Sequence, residues 1–268
     1  MQRVPPFRGK LRVGAWLLRT EKNTRDVCVT DAQGNQFVMP DLREPMAQHV
    51  LWNGVYEPDG LQVLRAQLGP AACFVDVGAN IGLFTVTAAR MRRGGRVFAI
   101  EASPTLFAYL NMNIARNDLD NVTTWNAAAS DRAGTARFYD APPEKFGMGS
   151  LAPQFHQAGF DVETKTLDEM LGAEAACARV VKIDVEGFEA AVLCGATNLL
   201  EQSPLLVFEF CDWAEERAGV SCGAAQRELV ARGYEIWRMG DWRHNAAPLS
   251  EIITRGSEML VARRRRTK

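Results

Sequence analysis

Residues 74–82 read Phe-Val-Asp-Val-Gly-Ala-Asn-Ile-Gly, an apolar run that breaks into a glycine turn. Cys73 to Val77 has the composition of a strand covered on both faces, while Gly78 and Gly82 give the backbone freedom to turn tightly and approach a ligand. A helix is predicted from about Ile81, because Leu83, Phe84, Val86 and Ala89 recur at helical spacing. It ends at the basic, glycine-rich stretch Arg92-Arg93-Gly94-Gly95. Arg96 to Ile100 makes the next strand. Glu101 therefore stands at a strand's carboxyl end, where an acid in this kind of sheet accepts hydrogen bonds from ribose hydroxyls.

The turn also narrows the cofactor. A dinucleotide fingerprint places a glycine where this chain has Asn80, so that pyrophosphate can sit against the backbone. Here the loop is Gly-x-Asn-x-Gly preceded by Asp76, acidic and less open, which suits a cationic ligand without a pyrophosphate. S-adenosylmethionine fits, with its positive sulfonium, its ammonium and its ribose diol. A nicotinamide-dependent oxidoreductase would share the strand, turn and ribose acid, but calls for a glycine at position 80.

Composition agrees with a soluble enzyme. The 268 residues hold 31 basic and 32 acidic side chains, so no global field draws nucleic acid or a membrane surface. The one charge block, Arg263 to Arg266, follows an apolar strand and lacks the aromatic interleaving of a nucleic-acid surface. No signal peptide is legible in the first twenty residues, and no apolar run is long enough to span a bilayer. Six cysteines, at 28, 73, 177, 194, 211 and 222, show no Cys-x-x-Cys pair and suit small hydrophobic positions in a reducing cytoplasm.

Along the chain, residues 1–70 form an annex containing a β-hairpin at 26–39 and helices around 48–52 and 60–68, with Pro58 discouraging helix at Glu57. Residues 71–268 alternate strand and helix, which predicts a doubly wound α/β sheet of Rossmann-like type. A third strand lies at 121–126, a hairpin at 127–139 turning on 131–134, and an irregular loop at 140–160. Further strands follow at 180–184, 205–210, 234–238 and 258–262, with helices from about 188 and near 223–232.

A second acidic group lies at the end of the fourth parallel strand, where Lys182-Ile183-Asp184-Val185-Glu186-Gly187 breaks into another turn. Asp184 and Glu186 stand across the crevice from Gly78 to Gly82, and Glu209 ends the neighbouring strand. Clustered carboxylates raise one another's proton affinity. One of them could therefore act as general base toward a hydroxyl, or Asp184 and Glu209 could bind a divalent ion that acidifies it.

These residues resemble the FkbM-type S-adenosylmethionine-dependent methyltransferases. The resemblance rests on Tyr56-Glu57-Pro58, Val75 to Gly82, Ala99 to Pro104, Asn126-Ala-Ala, Thr166-Leu-Asp168, Val181 to Gly187 and Phe208-Glu209. It implies a seven-stranded sheet with an antiparallel last strand, and O-methyl transfer to a hydroxyl of a sugar, polyketide or other small secondary metabolite. Carried over, Asp76, Gly78, Asn80 and Gly82 frame the methionine part of the cofactor and Glu101 the ribose. Asn126, Ala127 and Asp131 border the adenine, and Glu57 closes over the methionine end. The acceptor then lies near Asp184 and Glu186, beneath residues 140–160 as a substrate lid, whose His156 has an ordinary pKa of ~6.5 suited to a general base. A non-catalytic binding module is the remaining alternative, against which stands the survival of Asp184 and Glu186 beside an intact cofactor loop.

Overall fold

The computed structural model describes residues 9–91, 93–155 and 158–265. Its first described elements are helix α1 (Lys10–Thr20), a hairpin of β1 (Arg25–Thr30) and β2 (Gln36–Asp41), and helices α2 (Pro45–Gln48) and α3 (Pro58–Gln67). Strand and helix then alternate through β3 (Cys73–Val77), α4 (Leu83–Met91), β4 (Val97–Ile100), α5 (Pro104–Arg116) and β5 (Val122–Trp125). The remaining strands are β6 (Ala128–Ala129), β7 (Gly134–Phe138), β8 (Phe160–Lys165), β9 (Ala178–Ile183), β10 (Leu205–Cys211), β11 (Tyr234–Arg238) and β12 (Ser257–Arg264).

Seven of these strands form one sheet in the order β11-β12-β10-β9-β3-β4-β5. The pairs from β10 to β5 are parallel, and β12 runs antiparallel between β10 and β11. This is the doubly wound sheet with an antiparallel last strand that the sequence resemblance implied. Every residue of β3 and β4 is buried. Alternation explains why: Val75, Val77, Val181, Ile183 and Phe208 pack into the core on one face, and Phe74, Val180, Leu205 and Val207 into the core on the other. The order of connection reverses between β9 and β3, so the carboxyl ends of these two strands open a crevice at the sheet's switch point.

The annex is welded to this sheet. Phe37 and Met39 of β2 share a cluster with Ile81, Leu83 and Val86, and Leu61 and Leu64 of α3 pack with Phe74 and Phe84. The free edge of β2 is satisfied by amides from α5: the Val38 N–H donates to Asn113 Oδ1 at 2.8 Å, and the Gln36 N–H to Asn117 Oδ1 at 3.0 Å. Asn113 also donates to the Ile81 carbonyl at 2.8 Å, tying hairpin, helix and glycine turn together.

Two expectations from the sequence are corrected here. Residues 127–139 do not make a hairpin: β8 inserts between β6 and β7, parallel to the first and antiparallel to the second. A distant strand with the alternation Phe-Asp-Val-Glu-Thr-Lys buries Val162 and Thr164 there and outcompetes the local turn. Nor are all six cysteines free, since Cys73 and Cys177, at the starts of adjacent strands, form a disulfide. The premise of six reduced thiols therefore fails for that pair. Among the described residues no helix is long and apolar enough to cross a membrane.

Candidate active site

The crevice holds a cavity of about 290 Å³. Among the described residues seven carboxylates line it, those of Glu44, Glu57, Asp76, Glu101, Asp184, Glu186 and Glu209, with Lys182 as the one lysine.

On the β3 side, the backbone crosses into the left-handed region at Gly78 (φ 75) and again at Asn80 (φ 54). Asn80 tolerates this because its Oδ1 accepts the Ile81 N–H at 2.8 Å. Its own N–H donates to Glu101 Oε2 at 2.8 Å, and the Ser103 N–H donates to Glu101 Oε1 at 2.8 Å. Glu101 therefore closes the turn as well as facing the cavity, and burial pushes its carboxyl up to about 7 against those two N–H groups. Asp76 is 1% exposed; its Oδ2 accepts from Thr85 Oγ1 at 2.6 Å, while its Oδ1 has no hydrogen-bond partner among the described residues. Burial lifts its proton affinity, against the pull of Lys182 and Thr85.

Gly78 lines the cavity and also permits a close approach within the protein. A Cβ there would lie 1.8 Å from the Asp184 carbonyl oxygen, so the backbone approaches the opposite strand end closely. Gly82 (φ 91) makes room for Leu110 of α5, 2.7 Å from where its Cβ would be, and does not line the cavity.

On the β9 side, Lys182 is 4% exposed and donates to Asp184 Oδ2 at 2.8 Å, with its ammonium over the Phe84 ring at 5.1 Å. Burial works against this charge, but Asp184, Asp76 and Glu57 overcome it and hold the lysine protonated. Glu186 takes a left-handed backbone (φ 54), and its turn is held from beneath by buried Glu189, whose Oε1 accepts from the Val185 N–H at 2.9 Å and the Gly187 N–H at 3.3 Å. Oxygens of Asp184, Glu186 and Glu209 lie within 4.8 Å of one another. Burial, then the neighbouring carboxylates, raise the proton affinities of Glu186 and Glu209, and Glu209 Oε2 is buried with no hydrogen-bond partner among the described residues.

The annex closes the remaining wall. Glu57 enters in a left-handed conformation (φ 42) just ahead of Pro58 and is lifted by burial against the pull of Lys182. Glu44 accepts the Met46 N–H at 2.6 Å, and burial pushes it up to about 7. Residues 147–149 and Leu151 of the long loop also line the cavity. That loop is pinned by the Ser150 hydroxyl, which donates to the Glu186 carbonyl at 2.9 Å, and by a β-bridge to Tyr139.

Of the residues singled out in the sequence, Glu57, Asp76, Gly78, Asn80, Glu101, Ala127, Asp184, Glu186 and Glu209 thus meet at one cavity. Asn126 supports it from outside, its amide donating to the carbonyls of Glu101 at 2.9 Å and Ala102 at 3.1 Å. Asp131 is exposed, ion-paired with Arg132 and away from the cavity lining. His156 lies outside the described residues. The sequence reading gave no site role to Glu44, His49, Tyr56 or Lys182; Tyr56 stood in the Tyr56-Glu57-Pro58 string of the resemblance, and Lys182 carried a signal as a lone charge inside the buried strand Val180-Val181-Lys182-Ile183.

The cavity can hold a cation on its β3 side. Asp76 offers an unshared buried oxygen, and the acidic lining has a single opposing lysine, so the residues fit S-adenosylmethionine. The profile of a family described as the methyltransferase FkbM domain matches residues 76–236. Methyltransferase sdnD of Sordaria araneosa is 30% identical over 152 residues, 45% of this chain and 59% of that protein. The hexuronic acid methyltransferase AglP of Haloferax volcanii is 28% identical over 154 residues, 57% of this chain and 62% of that protein. The 31-O-demethyl-FK506 methyltransferase FkbM of Streptomyces tacrolimicus is 30% identical over 162 residues, 49% of this chain and 62% of that protein. The chain thus spans about six-tenths of the length of these relatives. Because the matched stretch runs from Asp76 through both acidic strand ends to β11 and covers more than half of the sequence, the chain belongs to the FkbM family of S-adenosylmethionine-dependent methyltransferases.

Proposed function

We propose that this methyltransferase acts on a hydroxyl of a small molecule, with the acceptor at Asp184, Glu186 and Glu209 and Glu186 as its general base. The observation that carries this reading is the unequal pairing of the three acids. Asp184 is hydrogen-bonded to Lys182, whereas among the described residues no cation forms an ion pair with Glu186, whose proton affinity burial and the neighbouring carboxylates raise against a weaker pull from Lys182, which suits a base working near neutrality. Two relatives support the acceptor class by name, one acting on a hexuronic acid and one at the 31-O position of a demethylated FK506.

When bound, S-adenosylmethionine supplies a methyl group on a cationic sulfur. Asp76, Glu57, Glu101 and the Asn80 turn would hold it, and Ala127 would border it. The protein's main contribution is placement, worth about 7–11 kcal/mol in well-oriented systems. Glu186 takes the acceptor proton, Asp184 orients the hydroxyl, and the segment 147–151 within the 140–160 lid keeps water out.

Incubation of hydroxylated metabolites with isotopically labelled methyl donor, read by mass, tests the activity. Glu186→Gln should lower kcat by roughly 100- to 10,000-fold with cofactor Kd unchanged. Full turnover in that variant would exclude Glu186 as the base. A metal-assisted version is favoured by one further observation, the unpartnered buried Oε2 of Glu209 within 4.8 Å of the other two acids. In it Asp184, Glu186 and Glu209 hold a divalent ion that lowers the hydroxyl's pKa. Turnover that survives exhaustive chelation would exclude it.

A further inference from the structure

Three of the six large apolar side chains exposed among the described residues lie on α1: Trp16 at 64%, Leu17 at 48% and Val13 at 46%. Their spacing puts them on one stripe of the helix, opposite Gly14 and Leu18, which are buried. The stripe faces outward because the inner face is locked. A Cβ on Gly14 would lie 2.2 Å from Trp52 Nε1, so the helix is seated directly on that ring, and Lys10 Nζ donates to the Trp52 carbonyl. Neither rotation nor sliding would hide the stripe without breaking this fit.

We infer that α1 is an interfacial helix that seats the enzyme on an anionic lipid surface. The charge pattern selects this occupant. Arg12 and Arg19 are exposed beside the stripe, and α1 contains no acid. An outward tryptophan with aliphatic neighbours between basic flanks is the composition that enters the headgroup boundary, where the indole N–H stays hydrated and the guanidinium groups meet lipid phosphates. The helix backs onto the turn His49–Asn53, and His49 lines the cavity, so docking places one wall of the active site close to the surface. The inference does not depend on which acceptor the enzyme uses.

Co-sedimentation with vesicles of phosphatidylcholine alone, and of phosphatidylcholine mixed with phosphatidylserine, tests it. The wild-type protein should partition onto the anionic vesicles, release with added salt, and leave the neutral vesicles largely unoccupied. Arg12→Gln and Arg19→Gln should each weaken partition about fivefold. The double variant Trp16→Ser/Leu17→Ser should weaken it at least about tenfold. All of these positions are exposed, and unchanged S-adenosylhomocysteine binding by the variants would show that the fold is kept. Absence of wild-type partition onto anionic vesicles overturns the inference, as does partition indifferent to the double variant. A light-scattering mass showing a dimer that Trp16→Ser/Leu17→Ser dissociates would also overturn it, by assigning the stripe to a second copy of the chain.

Discussion

Replacing Lys182 with methionine should destabilise the protein strongly at alkaline pH and weakly at acid pH. Lys182 is 4% exposed, 2.8 Å from Asp184 Oδ2, and also the opposing charge for Asp76 and Glu57. Removing one partner of a buried ion pair costs about 3–5 kcal/mol, because the other charge stays buried and uncompensated. Methionine conserves most of the volume and the contact with Phe84, so packing alone contributes only ~1 kcal/mol. The two contributions separate with pH. Burial already lifts the carboxyls of Glu57, Asp76, Glu186 and Glu209, and Lys182 pulls each of them back down. Without it their folded-state proton affinities rise further above the unfolded values. The folded state then binds more protons than the unfolded chain across that interval, and stability falls as pH rises through it. The lysine's own proton affinity is raised, so its charge is complete throughout this range in the wild type. Urea unfolding followed by tryptophan fluorescence should give a loss of roughly 3–5 kcal/mol near pH 8, shrinking toward ~1 kcal/mol near pH 5. Equal losses at both values would refute the reasoning, because they would mean that Lys182 acts only by filling space.

Other measurements probe separate parts of the fold. Asp76→Asn should weaken S-adenosylmethionine binding about tenfold to a hundredfold, since a charged hydrogen-bonding partner is lost, yet leave thermal stability unchanged or higher, because burial already disfavours the charge; calorimetric titration and a melting curve read the two signs. Gly78→Ala should cost roughly 2–4 kcal/mol, since its Cβ meets a backbone carbonyl at 1.8 Å, whereas Gly82→Ala, meeting the movable end of Leu110 at 2.7 Å, should cost less; urea midpoints rank them. The Cys73–Cys177 bond closes a loop with a sequence separation of 104, which a chain-entropy treatment converts to about 4.7 kcal/mol. Cys73→Ser/Cys177→Ser should accordingly lower the melting temperature by about 10 °C or more, and a shift of only a degree or two would show that the bond constrains little.

The β3 half of the crevice was legible because its logic is local: strand, turn, helix and next strand follow one another within residues 73–101, and each residue type answers to its neighbours in sequence. What stayed hidden is non-local. Glu44, His49 and Tyr56 reach the cavity from the annex, which sequence spacing cannot place against a strand end. The pattern Phe-Asp-Val-Glu-Thr-Lys at 160–165 was visible as alternation, but its insertion between β6 and β7 depends on a long-range contact that a nearer turn seemed to forestall. Cys73 and Cys177 looked unrelated until β3 and β9 became neighbours. Gly78 was read as a point of close approach to a ligand, and its further contact with the Asp184 carbonyl is non-local and had no signal in the sequence.

That contact bears on how the two halves of the crevice sit together. With Gly78 against the Asp184 carbonyl and the Asp184 N–H donating to the Val77 carbonyl at 3.1 Å, the turn after β3 and the turn after β9, the proposed cofactor and acceptor turns, are in direct backbone contact. No flexible side chain sets their separation. Lys182 reinforces the same junction electrostatically, reaching Asp184 on one side and opposing Asp76 and Glu57 on the other. A displacement along a line of three atoms gains most from a spacing that does not fluctuate, and backbone-to-backbone contact is the least deformable spacing a fold can supply. A side chain larger than hydrogen at position 78 should therefore impair turnover beyond its effect on stability, because it would widen the junction between the proposed donor and acceptor turns.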